Sequence, residues 1–121
     1  MAKTNQKEQV KTGSNVKERF KVGPPKNYGI FIHNNDLTPF LSVLDVLQKI
    51  FSKSRQQAQE IMMYTHQNGK GLVEAPVSKE NGSLKINEAL IYCQHKDAEG
   101  AHFSGMPGRY QLLQFTLEEI E

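Results

Sequence analysis

The 121-residue sequence predicts an α+β domain in the order β-α-α-β-α-β, with one sheet backed by helices. Three observations carry this expectation. Ile30, Phe31 and Ile32 form a β-favouring run ended by a polar turn. Residues 40–68 hold two amphipathic stretches of helical spacing with a capping signal between them. Near the end, Leu113, Phe115 and Leu117 alternate with Gln114 and Thr116, as in a half-buried strand. The length suits one domain and leaves no room for two substantial cores.

Residues 1–26 are rich in Lys, Gln, Asn, Thr and Ser, with only Val10, Val16, Phe20 and Val22 as apolar anchors. So little apolar surface does not offset the entropy of ordering, and a flexible arm is expected, ending at Gly23-Pro24-Pro25. The domain boundary is drawn after residue 27, leaving a core of residues 28–121. Seven Lys and Arg against Glu8 and Glu18 give residues 1–27 a charge of +5, and the remainder is −3. The overall +2 does not by itself imply a nucleic-acid or membrane partner. The arm lacks the interleaved aromatics of a nucleic-acid-binding module.

The first strand is expected from Tyr28 to His33. Thr38 suits an N-cap and Pro39 the first helical position, so a helix opens there. Phe40, Val43, Leu44, Leu47, Ile50 and Phe51 recur at three- and four-residue spacing, and Leu41 and Val46 widen the stripe. Ser54-Arg55-Gln56-Gln57 is a capping box for a second helix, with Ala58, Ile61, Met62 and Thr65 on one face and His66 one turn after Met62. Asn68-Gly69 supplies a left-handed stop.

Residues 71–74 read as a short strand broken off by Pro76. Asn81-Gly82-Ser83 reads as a turn and cap for a third helix, with Ile86, Ala89, Leu90 and Cys93 at helical spacing. That helix is expected to fade near residues 94–96. Residues 97–111 carry Gly100, Gly105, Pro107 and Gly108 without periodicity and read as a loop.

The sequence lacks a glycine-rich phosphate loop, a Gly-x-Ser-x-Gly elbow and paired cysteines at metal spacing. His33, His66, His95 and His102 lack zinc-site placement, and Cys93 falls on a buried stripe. Neither an enzyme nor a metal or cofactor site is expected. A lone cysteine and the lack of an apolar leader or a 20-residue apolar span point to a soluble protein of a reducing cytosol. What remains is a recognition cleft. Asn34, Asn35 and Asp36 offer oxygen acceptors and His66 a ring nitrogen, all suited to a donor-rich cation such as an α-ammonium. Phe40, Met62 and Thr65 can line an apolar pocket beside them. The plain alternative is a set of caps and turn-formers at a strand-to-helix junction.

These residues resemble the ClpS family, the adaptor proteins of the bacterial and plastid Clp protease. The resemblance rests on Asn34-Asn35-Asp36-Leu37-Thr38-Pro39 after an apolar strand, Val46-Leu47-Gln48-Lys49-Ile50-Phe51, Ser54-Arg55-Gln56-Gln57-Ala58 and His66-Gln67-Asn68-Gly69-Lys70. It implies a three-stranded antiparallel sheet packed on three helices. It also implies a monomeric adaptor that binds proteins beginning with Leu, Phe, Tyr or Trp and hands them to an AAA+ Clp unfoldase, with the N-terminal arm used in the hand-over. By the resemblance, Asn34, Asn35, Asp36 and His66 hold the substrate's α-amino group. Thr38, Phe40, Val43, Met62, Thr65 and Leu113 line the pocket for its first side chain. Glu80 and Lys85 contact the unfoldase's N-terminal domain.

The sequence also departs from the family. Asn35 stands where the family has a second aspartate, which removes charge assistance of roughly 1 kcal/mol. Phe40 replaces a gating methionine and Thr65 an aliphatic residue, so a smaller pocket with a more polar floor and narrower selectivity is expected. The segment 97–111 is about a dozen residues longer than the family's connection. It reads as a surface insertion, or as one in which Phe103, Met106 and Tyr110 contact a partner or shade the pocket. The alternative function keeps the fold and loses the reading: a homologue that docks on the unfoldase and competes with the ordinary adaptor. A nucleic-acid-binding domain with a basic arm is a third class, against which the acidic core weighs.

Overall fold

The computed structural model describes residues 26–120. The basic arm expected over residues 1–27 falls outside this range except for its last two residues, where Lys26 pairs with Glu119 at 3.6 Å and Asn27 opens the first strand. Strand β1 (Asn27–His33) leads to helices α1 (Phe40–Lys49) and α2 (Arg55–Asn68), strand β2 (Lys70–Val77) and helix α3 (Lys79–Ala98). A hairpin of two short strands follows, β3 (His102–Phe103) and β4 (Met106–Pro107), then a 3-10 turn (Tyr110–Leu112) and strand β5 (Gln114–Ile120).

The sheet order is β2-β1-β5, antiparallel throughout, so the apolar run read in the sequence is the central strand. Its pleat separates Ile30 and Ile32, fully buried under the helices, from Phe31 on the other face, where the Lys70 ammonium sits 4.9 Å from the ring centre. Val46, Leu47 and Phe51 from the first helical stripe, Ala58 from α2, and Ala89 and Cys93 from α3 complete one core with Val73 and Phe115. The expected α+β class and the three-on-three architecture are both observed. The capping box is formed in both directions: Gln57 N–H donates to Ser54 Oγ at 3.1 Å, and Ser54 N–H to Gln57 Oε1 at 3.0 Å. Gly69, at φ 88°, closes α2 in the left-handed region.

Several local expectations are corrected. Pro39, not Thr38, occupies the cap of α1, and no side chain caps that end; Thr38 turns inward and donates to the Arg109 carbonyl at 3.1 Å. Strand β2 continues through Pro76, because it is an edge strand and a missing N–H costs no ladder bond on its open side. Helix α3 starts at Lys79, capped by Ser78, whose hydroxyl accepts from Asn81 N–H at 3.1 Å. Asn81-Gly82 therefore lies in the first turn of the helix. Gly82 is there for close packing, since a Cβ would strike the Leu117 side chain. The helix runs to Ala98 rather than fading near residue 95, and Leu90, placed on its buried face by spacing, is 41% exposed.

The largest correction concerns residues 97–111, expected as an aperiodic surface loop. Asp97 and Ala98 still belong to α3, and the hairpin and the start of the 3-10 turn follow within the segment. Tyr110 is fully buried, while Met106 at the hairpin remains exposed.

Candidate functional site

At the end of β1 the Asn34 N–H donates to the Gly69 carbonyl at 2.9 Å, which joins the first acceptor cluster to the stop of α2. That bond sets residues 34–36 beside the end of α2 that carries Met62, Thr65 and His66. A cavity between them is lined by Ile32, His33, Asn34, Asn35, Thr38, Phe40, Val43, Met62, Thr65, His66 and Leu113. Nine of the ten residues expected for α-amino and side-chain binding thus surround one space. Asp36 is the exception: it is exposed and stands behind Asn34, whose Nδ2 donates to Asp36 Oδ1 at 3.1 Å. Ile32 and His33 were not anticipated. The strand's pleat, which turns Ile32 inward just before the polar turn, was the signal that could have found Ile32.

The cavity offers about 20 Å3, near the space of one water molecule. In its lining the Phe40 ring meets the His66 ring edge-on at 5.6 Å between centres while remaining half-exposed. The floor is less polar than its sequence suggests. Thr65 is buried, its hydroxyl donates to the Ile61 carbonyl at 2.7 Å, and the same oxygen lies against Gly71, where a Cβ would collide with it.

Asn35 is engaged at both ends of its amide. Its Oδ1 accepts from Leu37 N–H at 2.8 Å and its Nδ2 donates to the Leu112 carbonyl at 2.7 Å. An aspartate could make the first bond and not the second. Below it, Ser42 Oγ donates to the Gly108 carbonyl at 2.7 Å, and Tyr110 O–H to Asp45 Oδ2 at 2.7 Å. Tyr92 O–H reaches the same carboxylate oxygen at 2.9 Å. Burial first, and the bond to Asp45 second, push both phenols well above their ordinary range.

Glu80 and Lys85 lie on α3, apart from the cavity. Lys85 Nζ donates to the Ile50 carbonyl at 3.2 Å, pairs with Glu88 at 3.5 Å, and edges a separate surface hollow of about 470 Å3 with Leu84 and Pro76. Glu80 is exposed and does not line that hollow. Among the described residues, no three His, Cys, Asp or Glu side chains are grouped to hold a metal ion, and no helix is long and apolar enough to cross a membrane.

The family model described as "ATP-dependent Clp protease adaptor protein ClpS" matches residues 23–99. The chain belongs to the ClpS family. Its match to the family model spans residues 34–36 and 62–66 and ends just past α3, before the hairpin. ClpS adapter proteins of *Herminiimonas arsenicoxydans* and *Shewanella halifaxensis* are 39% and 32% identical to it over 105 and 106 residues. These alignments cover 87% and 81% of this chain, and 89% and 100% of the relatives. The structure of *Agrobacterium tumefaciens* ClpS2 bound to L-phenylalaninamide superposes with a TM-score of 0.61 at 27% identity, covering 80% of this chain and all of that one. Members of this family are adaptors of a protease, not proteases themselves.

Proposed function

We propose that this ClpS-family adaptor binds proteins whose first residue is Leu, Phe, Tyr or Trp and delivers them to an AAA+ Clp unfoldase for degradation. The observation that carries the reading is the convergence of Asn34, His66, Phe40, Val43, Met62 and Leu113 on one cavity. An α-ammonium is a three-donor cation, and Asn34 Oδ1 and a neutral His66 nitrogen are acceptors beside an apolar recess. Asp36 supplies charge one step back, polarising Asn34 through their shared hydrogen bond. L-phenylalaninamide, the ligand of the ClpS2 structure, has the free α-amine and aromatic side chain of such a first residue, which supports the assignment.

A cavity of about 20 Å3 does not hold a phenyl ring, so on this reading a lining side chain turns aside on binding, a part assigned to Phe40. Its half-exposed ring has open solvent to turn into. A stiff aromatic gate returns to fewer positions than a thioether would, and narrower side-chain selectivity follows. The unfoldase contact is assigned to the exposed side of α3 around Glu80 and Lys85, with residues 1–26 acting in the hand-over.

Fluorescently labelled peptides beginning with free Phe or Leu, compared with the same peptides acetylated or begun with Met, test the reading. Binding of only the free forms, lost in His66→Ala, supports it. Association with the unfoldase and no peptide binding supports the competitor instead.

A further inference from the structure

The inserted hairpin and 3-10 turn form a strap across the domain, fixed at three places. At its base the Asp97 carboxylate accepts both Tyr110 N–H and Gln111 N–H, each at 2.9 Å. Along α1, the buried Tyr110 ring carries its hydroxyl to Asp45, and the Gly108 and Arg109 carbonyls accept from Ser42 and Thr38. Arg109 holds φ 49°, a left-handed conformation that a non-glycine residue keeps only where its surroundings impose it. At its far end the strap meets the pocket: the Leu112 carbonyl receives Asn35 Nδ2, and the next residue, Leu113, is a buried wall of the cavity. Leu113 N–H in turn donates to the Tyr110 carbonyl at 3.1 Å. The wall is thus two bonds away from Asp45 and one residue away from Asn35.

We propose that Asn35 is a positioning residue for side-chain selection: its amide buckles the acceptor loop to the strap and so sets how far Leu113 stands from Phe40 and Met62. The strap, none of whose residues 102–112 lines the cavity, thereby becomes part of the selecting apparatus. Asparagine is the residue type that can do this. A carboxylate at position 35 would set an oxygen against the Leu112 carbonyl oxygen and repel it. The substitution that removes a charge from the acceptor cluster and the insertion that lengthens the last connection are then one device. An unbuckled wall relaxes outward, and the largest side chain gains most. This inference rests on the adaptor reading above.

The test compares dissociation constants for free-amine peptides beginning with Leu, Phe, Tyr and Trp across wild type, Asn35→Ala, Asn35→Asp and Tyr110→Phe. Tyr110→Phe keeps the ring and removes only the hydroxyl, with its bonds to Asp45 and Ser42, so it serves where an Asn35 variant fails to fold. Expected is a shift of the Trp-to-Leu affinity ratio toward Trp by about threefold to tenfold in Asn35→Ala, the scale of one hydrogen bond, and a shift in the same direction in Tyr110→Phe. The two changes are expected to combine non-additively, as members of one network do. If Asn35 instead touches the ammonium, Asn35→Ala weakens and Asn35→Asp strengthens all four peptides by one common factor with the ratio unchanged, and the proposal is overturned. An unchanged ratio in both Asn35→Ala and Tyr110→Phe overturns it as well while leaving the adaptor reading intact. Wild-type protein that binds none of the four peptides removes the adaptor reading itself.

Discussion

Two concavities flank helix α1, and they differ in a way that volume alone would misjudge. On one side the cavity of about 20 Å3 gathers Asn34, His66, Phe40 and Met62. On the other, between α1 and the strap, lies an open groove of about 640 Å3 walled by Leu41, Leu44, Asp45, Lys49, Arg55, Lys96 and Phe103. In the larger space the charges of Asp45, Lys49, Lys96 and Glu99 are engaged. Asp45 accepts from two tyrosines and pairs with Lys49 at 3.7 Å, and Lys96 pairs with Glu99 at 4.0 Å. The smaller one keeps an acceptor oxygen on Asn34 that no described residue uses, and the Phe40 ring stands in its lining. Under the proposed function the small cavity, with its convergent groups, is the recognition site, whereas the groove is where the strap is nailed to the domain.

The sharpest way to break the comparison is to remove the nail. Tyr110→Ala is expected to destabilise the fold by about 3–5 kcal/mol, as large aromatic truncations in cores do, read as a lower urea midpoint. His66→Ala acts on the other side. It should leave the midpoint near wild type and weaken free-amine Phe peptides by about 1.5–3 kcal/mol, roughly tenfold to a hundredfold, in fluorescence anisotropy titrations. Equal losses in stability from both variants would erase the distinction between a strap side and a reading side.

A third test widens the gate. Phe40→Met should leave stability within about 1 kcal/mol of wild type, as for a half-exposed site, and bring the affinities for the four first residues closer together. Peptide titrations that keep the wild-type ranking would show that Phe40 does not set selectivity.

Alkaline pH should loosen the strap side in particular. Burial, and then the charges of Asp97 and Asp45, push the Cys93 thiol up to about 12, while Tyr92 and Tyr110 are also raised. Because the folded values lie above the unfolded ones, the unfolded chain releases these protons first. The stability they support is complete below the ordinary thiol value of 9.0 and is lost as pH rises from there toward about 12. Chemical unfolding at stepped pH checks it, with Tyr110→Phe showing a shallower loss. The smallest effect belongs to Glu118 on the outer sheet. Hydrogen bonds from Lys70, at 2.8 Å, and from Thr116 lower its carboxyl value, so its contribution is present above the ordinary 4.5 and lost as pH falls below it. Both groups are substantially exposed, and Glu118→Gln should cost no more than about 0.5 kcal/mol at neutral pH.

The side proposed to read the substrate was legible in part in the sequence, for a physical reason. Its residues sit at the ends of strongly patterned elements: Asn34 and Asp36 follow an apolar strand, Phe40 and Val43 begin a helical stripe, and Met62, Thr65 and His66 share a face before a Gly stop. Periodicity and capping chemistry report on such positions directly. The strap was not legible. Its attachments run largely through the backbone carbonyls of Gly108, Arg109 and Leu112 and the N–H groups of Tyr110 and Gln111, which every residue type carries alike. Glycines and prolines around Tyr110 look the same whether a segment is loose or fastened. The start of α3 was misread because Gly82 resembled a turn, when its missing Cβ makes room for Leu117.

By itself, then, the sequence determined the α+β class, the first strand and the α2 capping box, because each is written in side-chain type and spacing, while the full pocket lining, with Thr38, Val43 and Leu113, was implied by the family resemblance of its motifs. Only the tertiary structure decided that Thr38 abandons its cap for Arg109, that Asn35 reaches Leu112 and that Tyr110 is buried on Asp45. Those pairings span 65 to 77 residues of chain, and contacts at such separation follow from packing rather than from local pattern.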